Sequence, residues 1–462
     1  MDEKLKKLKY LFAPKSVAVV GGSPIPNKIG NVLMKNLIDG KFMGRIFAVN
    51  PKYTEVLGVP CYPRVTELPK AVDCVIIATP AETVPGILED CGQKGVKGAI
   101  VLSGGFEEVG RDDLAQKMKD VSDRYLLPVI GPNCLGIFNP YTRLDSIFLP
   151  MYKLQRPGPG GIAFITQSGA VGSTVVDLAA HYGMGVSKFI SYGNGTVLNE
   201  SDMLEYLEND KETGIVILYL EGVKNGKRLL EWMKKVNRKK PIVALKAGKF
   251  GKAMAAARSH TGNIAGNYMA YKAAFRQAKV TEADDLEELF DFVKIFDQPM
   301  PKGNRVGVIT NGGGMGVLTA DAINDQGMEI ADFSNESKDA LKKILPSYGS
   351  VGNPLDLVAD SGVESYEKAI DVMMNDPNID SLAIVVLTQT LPIDERIIGV
   401  LSQANDLRKK PILTISVGGD YTEAYRRAFG SKGVPSYSSP LAAIKALRRL
   451  TDYAQWRGKN KK

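Results

Sequence analysis

The feature that most constrains the fold is a repeated alternation of short β-branched segments, glycine-containing turns and residues with helical periodicity. In the N-terminal part of the chain, the candidate strands are Ser16 to Val20, Ile46 to Val49, Cys74 to Ala78, Ala99 to Leu102 and Pro128 to Ile130. Strands and helices that alternate in this way build parallel sheets with helices on both faces. The sequence therefore predicts a doubly wound α/β fold.

Two further series of candidate strands indicate two more units of this kind. They are Ile162 to Thr166, Ile215 to Leu220 and Pro241 to Leu245, and then Val306 to Thr310, Leu382 to Leu387 and Pro411 to Ile415. Turn-rich segments, Arg156 to Gly161 and Asp297 to Gly303, precede the two series. We therefore predict three domains in the 462 residues, with boundaries at 1–153, 154–300 and 301–462.

The amino-acid composition restricts the binding partners and the cellular compartment that we expect for this chain. The formal net charge of +8 comes from lysines and arginines spread along the chain, so we expect no nucleic-acid partner. No apolar run is long enough to span a bilayer, and neither export nor membrane insertion is expected. The cysteines form no CxxC pair and have no neighbouring histidine, which argues against a metal site or a disulfide framework and for a reducing cytoplasm. They are Cys61, Cys74, Cys91 and Cys134.

The first domain carries a candidate nucleotide site. Gly21 to Gly30 follow the first strand, where a Rossmann domain holds pyrophosphate, but the spacing is not GxGxxG. The second strand ends in Asn50-Pro51-Lys52, where an NAD enzyme would usually place an acid on the ribose. A lysine there suits a phosphorylated ribose, as in coenzyme A or NADP. An NAD(P)-dependent oxidoreductase and a CoA-binding protein both remain open at this point.

Later strands of the same domain end in small or polar residues that fall on the ligand-binding edge of such a sheet. These segments are Ala78-Thr79-Pro80, Ser103-Gly104-Gly105 and Gly131 to Gly136. Cys134 could be a nucleophile, but no sequence neighbour supplies a base, so we interpret it as a small buried residue that lines the site.

The second and third units open with similar glycine-rich segments. Ile165 to Gly172 is echoed by Ile309 to Gly316, and helices are predicted to follow at Ser173 to Ala180 and Val317 to Ile323. A helix N-terminus after a strand is a good anion site, because its N–H groups are free and its dipole is positive there. The alternative is that the glycines only permit tight turns.

His260 is one of only two histidines, and it lies in a basic segment of small residues that runs from Lys246 to Gly262. A neutral imidazole among cations and backbone N–H groups can accept and pass on a phosphoryl group. The alternative is a turn histidine bonded to backbone. His181 falls late in a predicted helix, where a histidine favourably meets the negative helix end, and we interpret it as structural.

Taken together, these segments resemble the α subunit of the ADP-forming acetyl-CoA synthetases, also called acyl-CoA synthetase (NDP-forming), of the succinyl-CoA synthetase superfamily. The resemblance covers essentially the whole chain. It rests on Gly21 to Gly30, Asn50 to Lys52, Gly131 to Gly136, Thr166 to Ala170, Ser259 to Gly262, Thr310 to Gly316 and Gly352 to Asp356.

The resemblance implies an N-terminal Rossmann-like CoA-binding domain followed by two flavodoxin-like domains. It implies a ligase in which acyl-CoA and phosphate give an acyl phosphate and CoA, the acyl phosphate phosphorylates His260, and the phosphohistidine passes its group to ADP. Glu221 matches the glutamate that holds the imidazole, although it could instead neutralise nearby lysines. Asp356 would help to orient that centre.

Two sets of binding residues follow from the resemblance and the strand ends. The CoA or acetyl-CoA site would contain Gly22, Ser23, Lys28, Lys52, Ala78, Thr79, Pro80, Asn133 and Cys134. Phosphate would bind at the N-termini of two helices, at Ser168, Gly169 and Ala170 and at Gly313, Gly314 and Met315.

The resemblance also implies a partner. The ATP-grasp module that binds Mg-ADP or Mg-ATP is not found in this sequence, and we expect it on a β subunit, by analogy in an α2β2 heterotetramer. A small carboxylic acid would bind close to Asn133, Cys134 and Gly193 to Gly195. Acetate is the family default, and branched-chain and aryl acids are the alternatives, because small apolar differences in such a pocket change binding by only about 1–3 kcal/mol. A non-catalytic CoA-binding regulator is the alternative, but it has no use for His260 and Glu221.

Overall fold

The computed structural model describes residues 3–250, 267–347 and 349–459. The chain forms two compact units, Met1–Glu282 and Ala283–Lys462. The first unit contains two sheets and the second contains one. His260 lies outside the described residues.

The first sheet has seven strands in the order β3-β4-β2-β1-β5-β6-β7, and all pairs are parallel except β3 with β4. The strand order reverses between β1 and β5, which is the switch point where ligands bind in sheets of this type. The strands are β1 Ser16–Val20, β2 Arg45–Val49, β3 Glu55–Val56, β4 Val59–Tyr62, β5 Cys74–Ile77, β6 Gly98–Val101 and β7 Val129–Ile130. The helices are α1 Glu3–Lys6, α2 Lys9–Phe12, α3 Ile29–Asp39, α4 Val84–Lys94 and α5 Asp112–Tyr125.

The second sheet also has seven strands, in the order β14-β13-β12-β10-β11-β8-β9. Strands β10 to β13 pair in parallel, whereas β8 and β9 add an antiparallel hairpin at one edge. The strands are β8 Ile137–Asn139, β9 Leu144–Asp145, β10 Pro159–Thr166, β11 Val186–Ser191, β12 Ile215–Leu220, β13 Ile242–Lys246 and β14 Thr281–Ala283. The helices are α6 Gly169–His181, α7 Glu200–Leu207, α8 Gly226–Asn237 and α9 Tyr268–Ala278.

The third sheet has the same central order as the second. Its path is β16-β15-β18-β19-β20, with β17 paired to β15, and all these pairs are parallel. The strands are β15 Arg305–Thr310, β16 Glu329–Ile330, β17 Leu355–Asp356, β18 Ser381–Val385, β19 Ile412–Ile415 and β20 Ser436–Tyr437. The helices are α10 Leu286–Ile295, α11 Gly313–Asp325, α12 Asn335–Lys342, α13 Val363–Asn375, α14 Arg396–Asp406, α15 Asp420–Ser431 and α16 Pro440–Lys459.

The predicted α/β fold with three doubly wound sheets is confirmed. Each candidate strand from the sequence overlaps an observed strand, and Ser16–Val20 and Ile215–Leu220 match at both ends. The hairpin β8–β9 extends the second sheet although it precedes residue 154. The domain boundaries stay a prediction.

The hairpin is held to the second sheet by a buried ion pair. Arg156 Nε lies 2.8 Å from Asp145 Oδ2, and their side chains are only 8% and 4% exposed. Arg156 also donates to the backbone oxygens of Leu149 and Leu154. The segment before β10 is therefore fixed in place and not a loose linker.

The core of the first unit is continuous across its two sheets. Val17 and Ile76 of the first sheet belong to the same cluster of buried side chains as Ile165 and Leu218 of the second. A separate cluster forms the core of the second unit. Over the ranges that the structure describes, none of the helices combines the length and apolar character needed to cross a bilayer.

Candidate functional site

Backbone segments approach one another closely at the switch point at the carboxyl end of β1, a place that we call the crevice at β1. A Cβ atom on Gly21 would stand 2.6 Å from the backbone oxygen of Ala78, and a Cβ on Gly30 would stand 1.9 Å from the oxygen of Gly21. Gly21 also has a φ of +90°, which favours glycine. Helix α3 therefore begins against the turn that follows β1, as a pyrophosphate-binding turn requires.

Hydrogen bonds join several predicted CoA residues at this crevice. Asn50 Nδ2 donates to the backbone oxygen of Gly22 at 2.8 Å, and the N–H of Lys52 donates to Asn50 Oδ1 at 3.0 Å. Ser23 is buried, while Lys28 and Lys52 are exposed. Lys28 immediately precedes the first residue of α3. The structure thus brings the buried backbone of Gly22 and Ser23 and the exposed Lys52 together at the end of β2.

The neighbouring strand ends meet at the same edge. Ser103 Oγ donates to the backbone oxygen of Thr79 at 2.5 Å, and Thr79 Oγ1 lies 2.8 Å from Thr83 Oγ1. The N–H of Asn133 donates to the backbone oxygen of Ser103 at 2.8 Å. The polar groups at the ends of β5, β6 and β7 therefore form one contiguous edge.

Cys134 lies below this edge. Its thiol is buried and directed at the backbone oxygen of Val101, 3.3 Å away. Burial raises the pKa of Cys134 to about 12, so the thiol stays protonated at neutral pH. This agrees with the interpretation of Cys134 as a buried lining residue.

The loop Gly193 to Gly195 packs directly on Pro132 and Asn133. A Cβ on Gly193 would stand 2.2 Å from the Pro132 oxygen and 2.3 Å from the Asn133 oxygen. Asn133 Nδ2 donates to Asn194 Oδ1 at 3.2 Å. The two segments that the sequence analysis connected with the acid substrate are therefore neighbours.

The two glycine-rich turns are alike down to their hydrogen bonds. Thr166 Oγ1 accepts from the N–H of Ser168 and donates to its carbonyl, at 3.1 and 2.8 Å. Thr310 Oγ1 makes the same pair of bonds to Gly312, at 3.0 and 2.9 Å. A Cβ on Gly172 or on Gly316 would crowd the methyl group of the corresponding threonine.

The helices begin earlier than the sequence predicted. Helix α6 starts at Gly169 and α11 at Gly313, so the predicted phosphate-binding residues Gly169, Ala170, Gly313, Gly314 and Met315 form the first helical turns. Ser168 caps α6, because its side chain accepts from the N–H of Val171. In α6 this cap offsets the low helix propensity of glycine, whereas Gly312, which precedes α11, has no side chain to cap that helix. In both helices the first-turn N–H groups have no partner inside the helix.

Glu221 is buried at the end of β12 and is joined to the first glycine-rich turn. Gln167 Oε1 accepts from the N–H groups of Glu221 and Gly222, at 2.8 and 3.0 Å. The buried ammonium of Lys246 donates to the Glu221 carbonyl at 2.9 Å. Burial and a hydrogen bond to the Glu221 carboxylate raise the pKa of Tyr219. Glu221 is therefore joined to the turn through its backbone, and its charge also acts on the buried Lys246, where it raises the pKa against the larger effect of burial.

A second buried carboxyl lies near this turn, and the sequence analysis missed it. Glu200 is 3% exposed at the start of α7, and the hydroxyl of Tyr192 lies beside it. Burial raises the pKa of Glu200 to about 7. An acidic residue at a helix N-terminus is typical of surface helices, so the sequence carried no signal of burial.

Replacing Glu200 with glutamine should raise the melting temperature at pH 8 by at least about 2 °C. The folded chain binds the Glu200 proton more tightly than the unfolded chain, so ionisation destabilises the fold. The loss of stability caused by ionisation of Glu200 is absent below the usual carboxyl pKa, 4.5, and complete above about pH 7. The gain from Glu200→Gln should thus shrink as pH falls toward 5, as melting curves of both chains would measure. An equal gain in melting temperature at both pH values would contradict the burial argument. Glu67→Gln, which removes a charge at an exposed position, is the control for loss of charge alone.

Two candidate residues remain, Asp356 and His181. Asp356 lies against the start of α11, because a Cβ on Gly313 would stand 2.8 Å from its Oδ2. His181 is the exposed last residue of α6 and its ring contacts Tyr182. Its place at the helix end agrees with a structural role.

Three protein-family models match the chain. A CoA binding domain matches residues 15–140, a succinyl-CoA ligase like flavodoxin domain matches 159–296, and a Ligase-CoA domain matches 306–438. The first match contains the crevice at β1, and the second and third each contain one of the glycine-rich turns.

Relatives of known name and structure match nearly the whole chain. Acetate–CoA ligase [ADP-forming] I of Archaeoglobus fulgidus is 40% identical over 97% of this chain, which spans only 64% of that protein's length. The subunit alpha of acetate–CoA ligase [ADP-forming] II of Pyrococcus furiosus is 37% identical over 97% of this chain and 98% of its own. Dinucleotide forming acetyl-coenzyme A synthetase 1 of Ca. Korarchaeum cryptofilum, solved with phosphate and ADP, is 33% identical with a TM-score of 0.91, over 98% of this chain and 97% of its own. The chain therefore belongs to the family of ADP-forming acetate–CoA ligases, in the succinyl-CoA synthetase superfamily.

Proposed function

We propose that this chain is the α subunit of an ADP-forming acyl-CoA synthetase, which interconverts acyl-CoA, ADP and phosphate with a carboxylic acid, CoA and ATP. The observation that carries the proposal is the bonding of Gln167 to Glu221. These bonds join the backbone N–H groups of Glu221 and Gly222 to the glycine-rich turn before α6, and so hold the buried Glu221 beside that turn. A carboxylate that orients an imidazole beside a helix N-terminus suits phosphoryl transfer.

The proposed reaction has three reversible steps. A phosphate oxygen attacks the thioester carbonyl, the thiolate leaves and takes a proton, and an acyl phosphate forms. A ring nitrogen of His260 then attacks the phosphorus and releases the carboxylate. The phosphohistidine finally passes its phosphoryl group to ADP. Ser168, Gly169 and Ala170 would stabilise the transferred charge through N–H groups and the dipole of α6. The second unit offers an equivalent helix N-terminus for phosphate at Gly313, Gly314 and Met315.

The crevice at β1 would bind CoA. The close approaches at Gly21 and Gly30 leave backbone at the switch point open to a pyrophosphate, and the exposed Lys52 would meet the ribose phosphate. Gly22, Ser23, Lys28, Ala78, Thr79 and Pro80 would line the same site, and Asn133 would lie toward its reacting end. The family match over residues 15–140 supports this assignment.

Replacing Lys52 with alanine should weaken CoA binding by about tenfold or more, because one charge-assisted hydrogen bond is lost. The loss should be much smaller for dephospho-CoA, which lacks the ribose phosphate. Titration calorimetry with both ligands measures the difference. Lys70→Ala, at an exposed lysine of the same domain, should bind both as the unchanged chain does. Identical losses for the two ligands would place Lys52 away from the ribose phosphate.

The proposed enzyme needs a partner. The Archaeoglobus relative is longer than this chain, and the Pyrococcus relative is named a subunit alpha. We infer that an ATP-grasp β subunit binds Mg-ADP or Mg-ATP, and that the enzyme is an α2β2 heterotetramer. The four cysteines are free and buried, as suits a protein that works in the reducing cytoplasm. The acid is a small carboxylic acid, and acetate is the first candidate to test.

The test is intact-mass analysis at alkaline pH, where phosphohistidine survives. The chain is incubated with acetyl-CoA and phosphate, with and without an ATP-grasp partner. We expect one added phosphoryl group, which Mg-ADP discharges only when the partner is present. If no adduct forms with any of a panel of acyl-CoA thioesters and an authenticated partner, the chain is a CoA-binding regulator instead.

A further inference from the structure

Two adjacent carboxylates reach from the first sheet to the loop that follows β11. Glu107 Oε2 accepts from Thr196 Oγ1 at 2.5 Å, and Glu107 Oε1 accepts from Lys224 Nζ at 3.1 Å. Glu108 Oε2 accepts from Asn194 Nδ2 at 2.6 Å. Both residues lie in the turn after β6, which the proposed function does not use.

Glu108 is held as an acceptor at both oxygens. Its Oε1 accepts from the N–H groups of Gly105 and Phe106, at 2.5 and 3.2 Å. Burial acts to raise the pKa of Glu108, but the hydrogen bonds that its carboxylate accepts, chiefly from Gly105 and Asn194, together hold that pKa below its usual value. Glu108 is thus ionised at neutral pH and can only accept hydrogen bonds.

This carboxylate fixes the orientation of two amides in series. Because Glu108 cannot donate, the side-chain nitrogen of Asn194 must face it, and the Asn194 oxygen must face away. That oxygen accepts from Asn133 Nδ2 at 3.2 Å, so the nitrogen of Asn133 is fixed in turn. Asn194 is 2% exposed, while Asn133 is partly exposed at the sheet edge. The chain of bonds therefore ends at the partly exposed Asn133, on the edge of the sheet where the candidate CoA site lies.

The backbone holds this loop independently of Glu108. The N–H of Asn194 donates to the oxygen of Pro132 at 3.0 Å, and the N–H of Leu198 donates to the oxygen of Val129 at 3.3 Å. A change at Glu108 can therefore reverse the amides without releasing the loop.

We propose that Glu108 is a positioning residue, which acts through Asn194 to direct the second N–H of the Asn133 amide at the carbonyl oxygen of the acyl-CoA thioester. This inference rests on the proposed function. When phosphate attacks the thioester, negative charge develops on that oxygen, and a donor already fixed in place stabilises it. A reversed amide would present an oxygen there instead.

Glu108→Gln tests the proposal in the chain assembled with its ATP-grasp partner. The oxygen of the introduced glutamine would still accept from the N–H groups of Gly105 and Phe106, but its nitrogen would face the side-chain nitrogen of Asn194. Two donors cannot pair, so the side-chain amides of Asn194 and Asn133 should both flip. We expect kcat for CoA release from acetyl-CoA and phosphate to fall by about 10- to 100-fold. The KM for acetyl-CoA should change by less than about threefold, since a donor used only as charge develops does not contribute to substrate binding.

A second substitution should restore the orientation. In Glu108→Gln/Asn194→Asp, the nitrogen of the introduced glutamine donates to the introduced aspartate, whose carboxylate again accepts from Asn133. The net charge equals that of the unchanged chain. We expect kcat to recover by about tenfold over Glu108→Gln alone, which a merely structural role of Glu108 would not predict.

Glu107→Gln is the matched control. It makes the same change at the neighbouring residue, which contacts the loop at Thr196 and takes no part in the chain of amides. It should keep kcat within about twofold. Equal losses at Glu107 and Glu108, an unchanged kcat in Glu108→Gln, or no recovery in the double variant would each overturn the proposal. An unchanged chain that forms no phosphohistidine would instead refute the proposed function.

Discussion

Replacing His260 with alanine should abolish ligase turnover, with a loss of about a thousandfold or more, because no other group in the proposed mechanism can carry the phosphoryl group. Intact-mass analysis after incubation with acetyl-CoA and phosphate should show no adduct. CoA binding should persist, since all the predicted CoA residues precede residue 154. Calorimetric titration with CoA measures that second property on the same sample.

His181→Ala is the matched control, because the chain has only two histidines. His181 is exposed at the end of α6, so its removal should leave phosphorylation and turnover unchanged. If the His260→Ala chain were still phosphorylated, another residue would be the carrier of the phosphoryl group. A loss of CoA binding equal to the loss of turnover would contradict the separation of the two sites.

Replacing Gly30 with alanine should remove most CoA binding and lower stability. Its Cβ would stand 1.9 Å from the Gly21 oxygen, so α3 must move away from the turn that bears Gly22 and Ser23. Overpacking of this kind costs about 1–3 kcal/mol, and the displaced turn should raise the dissociation constant of CoA by at least about tenfold. Thermal melting and calorimetric titration measure the two effects.

Gly86→Ala provides the comparison. Gly86 also lies in the first turn of a helix, α4, but nothing stands within 4 Å of a Cβ at this position. Alanine should therefore stabilise the chain by up to about 1 kcal/mol and leave CoA binding unchanged. If Gly30→Ala bound CoA as tightly as Gly86→Ala, the crevice at β1 would not be the CoA site.

The fold was largely predictable because buried parallel strands are continuous apolar runs. The repeated turns were predictable because the same residue types recur at the same spacing, and Thr166 and Thr310 make the same bonds. Strand β11 was not among the predicted strands. Its interior holds Lys188, which resembles a surface residue in sequence but is 1% exposed and paired with Asp210 and Glu212.

The candidate site was predictable only in part. Glu221 and Gln167 lie in recognisable segments, and they meet at the ends of paired strands. Glu108 lies in a segment that is typical of an exposed turn, and its partner Asn194 is 86 residues away. Contacts across such a separation depend on the packing of two sheets, which local sequence does not encode.

The hairpin β8–β9 limits how proteins of this kind can be recombined. It follows the last strand of the first sheet directly in sequence, yet it completes the edge of the second sheet and is clamped there by Arg156 and Asp145. An exchange of CoA-binding segments between relatives would therefore have to join the chains before Ile137. A junction placed after the hairpin would transfer β8 and β9 together with the CoA-binding segment. The second sheet of the acceptor protein would then contain edge strands from the donor, which would pack less well against it.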